Sequence, residues 1–141
     1  MHPGDALWLI LATPQWYFRS ILSPFSAGVF SAIPALGIVC LLAGAALGFR
    51  YRQKRLLMCG VPFILSVSFG GVAGLLRGEV PNGWADFIMY GFLAGQLILS
   101  VWLVYFARRA WPAAALLAVF SMSYALFAAF IAYMSFTDTW L

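Results

Sequence analysis

The sequence predicts an all-α membrane protein in which four transmembrane helices form a bundle behind an N-terminal interfacial helix or re-entrant segment. Of the 141 residues, 65% are hydrophobic and only 9% are charged. A soluble domain of this length would need more polar side chains to cover its surface. Four apolar stretches also lack Asp, Glu, Lys, Arg and His. Each is long enough to cross about 30 Å of hydrocarbon as a helix.

The four stretches are predicted to run from Ser26 to Phe49, from Leu56 to Leu76, from Phe87 to Phe106 and from Ala110 to Met134. Backbone polar groups inside a bilayer must be satisfied within the segment, and strand-like alternation is absent, so helices are expected. We therefore expect a four-helix transmembrane domain over residues 26–141 and an N-terminal interfacial segment over residues 1–25.

The N-terminal segment is expected to lie at the membrane interface or to dip into the membrane as a re-entrant turn. Its apolar run, from Ala6 to Ala12, is too short to span a bilayer and stops at Pro14. Trp8 lies within this run and Trp16 follows it, and tryptophan favours the interface because its ring is apolar and its N–H is polar.

Proline positions predict where the helices bend or begin. Pro34 and Pro62 lie inside the first and second predicted spans, where each would remove a backbone hydrogen bond and kink the helix. Pro112 falls in the first turn of the fourth span, where the missing N–H has no cost. Pro81 belongs to a predicted loop between the second and third spans.

The distribution of basic residues predicts the orientation in the membrane. The loop after the first span contains Arg50, Arg52, Lys54 and Arg55, half of the 8 basic residues of the chain. The loop after the third span contains Arg108 and Arg109. The positive-inside rule places both loops in the cytoplasm and both termini outside, in a bacterial inner membrane. The four-residue cluster is read as a topogenic signal or as a site for anionic lipid head groups.

Small residues at four-residue spacing occur within the spans. Gly70 and Gly74 lie in the second span, and Gly91 and Gly95 lie in the third. Helices in lipid associate by close packing, which small residues permit. These glycines are therefore predicted to mark helix contacts, either within one bundle or with another subunit.

Gln96 is the strongest hydrogen-bonding side chain placed deep in a span, and Ser100 lies one turn further on the same face. Together they are candidates for the polar lining of a path through the membrane. The alternative is that Gln96 bridges two helices by hydrogen bonds. The absence of an ionisable residue from all four spans argues against proton-coupled antiport, which needs such a group in the membrane.

No catalytic, cofactor or metal site is predicted. His2 is the single histidine, and the two cysteines, Cys40 and Cys59, have no metal-binding or redox spacing, so they are read as packing residues. A catalytic triad or an axial haem ligand cannot be assembled without a further histidine. We expect no enzyme activity, no cofactor and no nucleic-acid partner.

One short motif resembles a known family. The run PQWYF, residues 14–18, resembles the PEWY element of the C-terminal half of cytochrome b and of subunit IV of the b6f complex. In that family the element lies at the quinol-oxidation pocket, so the resemblance implies a quinone-site or electron-transfer subunit. Gln15 stands where the family has its catalytic glutamate, so the resemblance does not imply quinol deprotonation here.

Three functions remain open at this point. The first is an accessory or anchoring subunit of a larger membrane complex, with the lipid bilayer, other membrane subunits or copies of itself as partners. The second is a homo-oligomeric channel or passive transporter whose path is lined by Gln96 and serines. The third is the quinone-site or electron-transfer subunit that the PQWYF run implies.

Overall fold

The computed structural model describes residues 3–22, 29–51, 54–81 and 83–137, and all regular secondary structure in these ranges is helical. The five α-helices are α1 (Pro3–Leu22), α2 (Val29–Tyr51), α3 (Val61–Leu75), α4 (Trp84–Phe106) and α5 (Trp111–Thr137). Two 3₁₀ segments, Lys54–Gly60 and Arg108–Ala110, lead into α3 and α5. The all-helical class predicted from the sequence is confirmed.

Among the described residues, four helical stretches are long and apolar enough to cross a membrane, which confirms the predicted number of candidate spans. They are Ser31–Tyr51, Leu56–Leu75, Trp84–Phe106 and Arg108–Thr137. Helix α4 also carries exposed aromatic side chains near both ends, Trp84 and Phe87 at one and Trp102 and Tyr105 at the other. At 1.5 Å per residue Trp84 and Trp102 lie about 27 Å apart, close to the thickness of the hydrocarbon layer. This spacing is typical of the aromatic belts of membrane proteins.

The second span begins differently from the sequence prediction. It starts with the 3₁₀ segment Lys54–Gly60, and Pro62 occupies the first turn of α3 instead of its interior. A proline is accommodated there because the first N–H groups of a helix have no intrahelical acceptor. The expected kink at Pro62 is therefore wrong, whereas Pro34 does lie inside α2.

Helix α5 is the centre of the bundle, and α2, α3 and α4 pack around it. Three clusters of buried side chains follow one another along its length, and they centre on Ala114, on Phe120 with Tyr124, and on Ala132 with Phe136. In the most apolar 18 residues of each candidate span, 50% of the α5 span is buried, compared with 17% of the α4 span.

Small side chains let the neighbouring helices approach α5 closely. Six of its alanines are at most 1% exposed: Ala113, Ala114, Ala125, Ala128, Ala129 and Ala132. Close packing of this kind is the main source of helix association in lipid, where apolar surface gains nothing by leaving the solvent.

Helix α1 packs against α3 and, less extensively, against α2. Its buried face consists of Leu9, Ala12, Thr13 and Tyr17, at the spacing of one helical stripe. The helix continues through Pro14 to Leu22, although the apolar run of the sequence stops at this proline. Tyr17 is fully buried and shares a core cluster with side chains of α2 and α5.

The turn between α3 and α4 is fixed to the end of α5. The Gly78 N–H donates to the Ser135 carbonyl at 3.1 Å, and the Ser135 hydroxyl donates to the Ala73 carbonyl at 3.0 Å. Gly78 has φ of 65° and Gly83 has φ of 95°, a backbone region that residues with a Cβ rarely adopt. Glycine at both positions lets the chain reverse direction here.

Candidate functional site

Gln96 and Ser100, the polar pair predicted from the sequence, lie on the face of α4 that packs against α5. Each residue is only 3% exposed. Neither the Gln96 Oε1 atom nor the Ser100 Oγ atom has a hydrogen-bond partner among the described residues. A buried polar atom without a partner costs on the order of 1–3 kcal/mol. Such an atom in a native bundle therefore needs an explanation.

The depth of Gln96 follows from the way α4 packs against α5. Leu103 shares a cluster with Ala114 near one end of the helix pair, and Ala85 shares another with Ala132 near the other end. These pairings describe one antiparallel register, and in this register Gln96 lies level with Ser121. Ser121 is near the middle of α5, so the unpartnered amide oxygen lies near the middle of the bundle.

Gln96 borders an open groove between α3 and α4, which hardly touch each other. The groove has a volume of about 480 Å³. Its walls are formed on the α3 side by Leu65, Ser68, Phe69 and Val72, and on the α4 side by Gly91, Phe92, Gly95, Gln96 and Leu99. The rings of Phe69 and Phe92 stack with centroids 3.9 Å apart, and this stack holds the two helices together across the groove. We call this feature the α3–α4 groove.

The four glycines predicted to mark helix contacts divide into two kinds. Gly70 and Gly74 are buried in α3, and a Cβ built on Gly70 would meet the Thr13 hydroxyl of α1 at 3.8 Å. Gly91 and Gly95 are exposed, and a Cβ built on either one would meet no heavy atom within 4 Å. The α3 pair thus lies in the packed interior, whereas the α4 pair lines the α3–α4 groove.

A second polar site joins α1, α2 and α5, and the sequence analysis did not identify it. The Tyr17 hydroxyl lies 2.7 Å from the Ser123 Oγ atom and 3.4 Å from the Pro34 carbonyl oxygen. Two backbone carbonyls accept from this pair of hydroxyls, Pro34 from Tyr17 and Phe120 from Ser123, the latter at 2.7 Å. Either hydroxyl can donate to the other. Gly37 is buried directly against this pair of hydroxyls.

Aromatic side chains enclose the second polar site. The Tyr17 ring lies 5.2 Å from the Tyr124 ring, and the Tyr124 ring lies 4.7 Å from that of Phe63, measured between centroids. Tyr124 is 1% exposed, and its hydroxyl is the third buried polar atom without a partner among the described residues. The apolar surroundings exclude water and so strengthen the hydrogen bond between Tyr17 and Ser123.

A second groove lies on the opposite side of α4, where α2, α4 and α5 meet, and its volume is about 450 Å³. Ser100 and Ser123 are its two hydroxyl-bearing residues, and the rest of the wall is apolar. The two predicted polar residues of α4 therefore border different grooves, Gln96 the α3–α4 groove and Ser100 the groove between α2, α4 and α5.

Basic side chains gather at one end of the bundle. Arg50 lies in the last turn of α2, and Arg108 and Arg109 lie between α4 and α5. Arg108 donates to the Tyr105 hydroxyl and lies 4.7 Å above the centre of that ring. Of the other cluster members, Arg52 and the side chains of Lys54 and Arg55 fall outside the described residues.

The residues that resemble the quinol-site element lie within α1. Gln15 is exposed, and Tyr17 is buried in the contact with Ser123. In the described part of the chain, no three His, Cys, Asp or Glu side chains are arranged to hold a metal ion. Cys40 and Cys59 are both buried and free, as packing residues would be.

Comparison with known proteins yields no relative: no family model, no curated protein and no solved structure matches the chain.

Proposed function

We propose that this chain is an accessory or anchoring subunit of a larger membrane complex. The α3–α4 groove carries this proposal, because it places two exposed glycines of a candidate membrane-spanning helix beside a buried amide oxygen that has no partner among the described residues. Lipid tails can fill such a groove, but they offer no hydrogen-bond donor to the Gln96 Oε1 atom. A protein helix can supply both the close packing and the donor.

The exposure of α4 supports the same proposal. Helix α4 is the least buried of the four candidate spans, since only 17% of its apolar 18-residue stretch is buried. Within the chain it contacts α5 along one face, and the rest of its surface is available to lipid or to another subunit. A subunit that anchors other membrane helices requires a surface of this kind.

We also propose that the chain lies in a bacterial inner membrane with both termini outside. The basic residues Arg50, Arg108 and Arg109 at one end of the bundle support the orientation through the positive-inside rule. Helix α1 is then a re-entrant segment that enters from the outer side. The contact of Tyr17 with Ser123, near the middle of α5, supports this placement over one at the membrane surface.

Native mass spectrometry of the protein, purified from its own membranes in mild detergent, tests the proposed role. We expect a complex in which other subunits accompany one or more copies of this chain. Recovery of the folded chain as a monomer across several mild detergents would contradict the proposal.

A channel or passive transporter remains a second candidate, and the unpartnered atoms at Gln96, Ser100 and Tyr124 favour it. Water or a polar solute passing through the bundle would satisfy such atoms, since conduction across hydrocarbon requires a polar lining. Flux from liposomes that contain the wild type or Gln96→Leu decides between the candidates. Wild-type flux that is lost in Gln96→Leu would establish the conduit, whereas the accessory role predicts little flux from either protein.

A further inference from the structure

We infer that the complex contains two copies of this chain, with α4 of each copy packed into the α3–α4 groove of the other and the two Gln96 amides hydrogen-bonded across the interface. This inference rests on the proposed function, since it names the partner that the groove receives. Three independent properties of the groove lead to it: its small-residue surface, its unpartnered amide and its position on the least buried span.

The small-residue surface fits a helix. Gly91 and Gly95 lie one turn apart on the exposed side of the groove, and Ser68 is exposed on the opposite wall. Without a Cβ at the two glycines, the axis of an incoming helix can approach α4 closely and gain many van der Waals contacts. Since α4 itself carries these glycines, the α4 helix of a second copy presents a matching small surface.

The unpartnered amide indicates which helix occupies the groove. A glutamine amide contains one acceptor and two N–H donors, so two identical amides can satisfy each other. A two-fold axis brings the same patch of both copies together, and residue 96 of one copy then faces residue 96 of the other. Gln96 borders the groove, and rotation about its last side-chain torsion, which is broad in glutamine, exchanges the positions of the amide oxygen and nitrogen, so that either atom can face the second copy.

The position of the amide makes this contact specific. Gln96 lies near the middle of the bundle, where water is scarce and an alternative donor is hard to find. A pair of amides at this depth fixes the register of the two α4 helices, as a single buried polar residue does in coiled coils. Neighbouring apolar side chains contribute packing without such selectivity.

Disulfide trapping in native membranes tests the inference on the full-length chain. The background variant carries Cys40→Ala and Cys59→Ala, and the reporter is Gly95→Cys. We expect rapid formation of a covalent dimer on mild oxidation with iodine. The matched control is Leu97→Cys, which is exposed on α4 at nearly the same depth but about 200° around the helix. The control should remain monomeric.

Two further substitutions in the reporter background separate the contribution of the glycine surface to association from that of the Gln96 amide. Gly91→Leu should abolish the trapped dimer while the chain stays folded, because a Cβ at this position meets no heavy atom within 4 Å among the described residues. Gln96→Leu should weaken association roughly three- to twentyfold, the range that follows from measured interhelical hydrogen bonds.

Several results would overturn the inference. The first is that Gly95→Cys forms no covalent dimer. The second is that the reporter and the Leu97→Cys control give equal dimer yields. The third is that neither Gly91→Leu nor Gln96→Leu changes the dimer yield of the reporter. Native mass spectrometry distinguishes this failure from failure of the proposed function. Foreign subunits with one copy of this chain would leave the accessory role intact and refute the dimer. A lone monomer would refute both.

Discussion

Replacement of Gly37 by alanine should destabilise the bundle more than its small size suggests. Gly37 lies on α2 against the hydrogen-bonded pair of Tyr17 and Ser123, and a built Cβ would overlap both hydroxyl oxygens and lie 3.1 Å from the Ser123 Cβ atom. Tyr17 is 0% exposed, so its side chain has no open space to enter. The Ser123 hydroxyl can turn away only towards the groove between α2, α4 and α5, and that rotation breaks its hydrogen bond to Tyr17. The clash can be relieved only if α1 shifts or the hydrogen bond breaks.

The expected magnitude follows from three terms. Overpacking of a filled interior costs about 1–3 kcal/mol. Loss of an interhelical hydrogen bond in a membrane protein costs about 0.6 kcal/mol. The higher helix propensity of alanine returns at most about 1 kcal/mol. The net destabilisation is therefore on the order of 2 kcal/mol.

Thermal unfolding in detergent, followed with a thiol-reactive dye, measures this effect. Cys40 lies in the same core cluster as Tyr17, so in a Cys59→Ala background its reaction with the dye reports directly on the opening of this site. Gly60→Ala is the control, since Gly60 is exposed, has a helical φ of −77° and has no heavy atom within 4 Å of a built Cβ. Equal melting temperatures for Gly37→Ala and Gly60→Ala would refute the reasoning.

A double-mutant background gives a sharper version of the same test. Tyr17→Phe with Ser123→Ala removes both oxygen atoms that a Cβ at position 37 would meet. The cost of Gly37→Ala should then fall by about 1 kcal/mol or more, since residues in direct contact couple energetically. An undiminished cost would show that the clash is not with these hydroxyls.

Further predictions concern the topology and the polar contacts. Arg52→Cys should resist an impermeant thiol reagent in intact cells, and modification there would reverse the proposed orientation. Ser135→Ala removes the hydrogen bond to the Ala73 carbonyl and should lower the free energy of unfolding by about 0.6 kcal/mol. An unchanged melting temperature would show that this bond does not stabilise the fold. Gln96→Leu should raise the melting temperature of the monomer, because it removes a buried acceptor without a partner. A lower melting temperature would mean that Gln96 has a partner within the chain.

The four spans could be predicted from the sequence because hydrocarbon imposes a simple rule on composition. A stretch such as residues 87–106 contains no charge and has the length of a bilayer crossing, and no tertiary information is needed to recognise it. The shared face of Gln96 and Ser100 was also predictable, since they lie four residues apart on a helix, whereas their burial against α5 was not.

The position of α1 could not be predicted, because it depends on contacts between distant parts of the chain. The partner of Tyr17 lies 106 residues further on, and no local pattern marks Ser123 as that partner. Proline is also an uncertain signal, since Pro14 lies inside α1 although the apolar run ends there, and Pro62 begins α3 although it was expected to bend it.

The burial of the two glycine pairs could not be predicted from their spacing either. Gly70 with Gly74 and Gly91 with Gly95 have identical spacing, but the first pair is buried and the second borders an open groove. Spacing identifies the face on which small residues lie. It carries no information about which element covers that face, which is decided by the packing of all five helices.

Native gel electrophoresis of membranes solubilised in mild detergent, comparing the wild-type chain with Gly91→Leu, tests the central claim most directly. Gly91 is exposed and a Cβ there meets no heavy atom within 4 Å among the described residues, so we expect the variant to stay folded and only its contacts with other subunits to change. We predict that the wild type migrates in a large complex and that Gly91→Leu migrates as a folded monomer or in a smaller assembly. Identical migration of the two proteins would contradict the proposal that this chain assembles with other subunits through the α3–α4 groove.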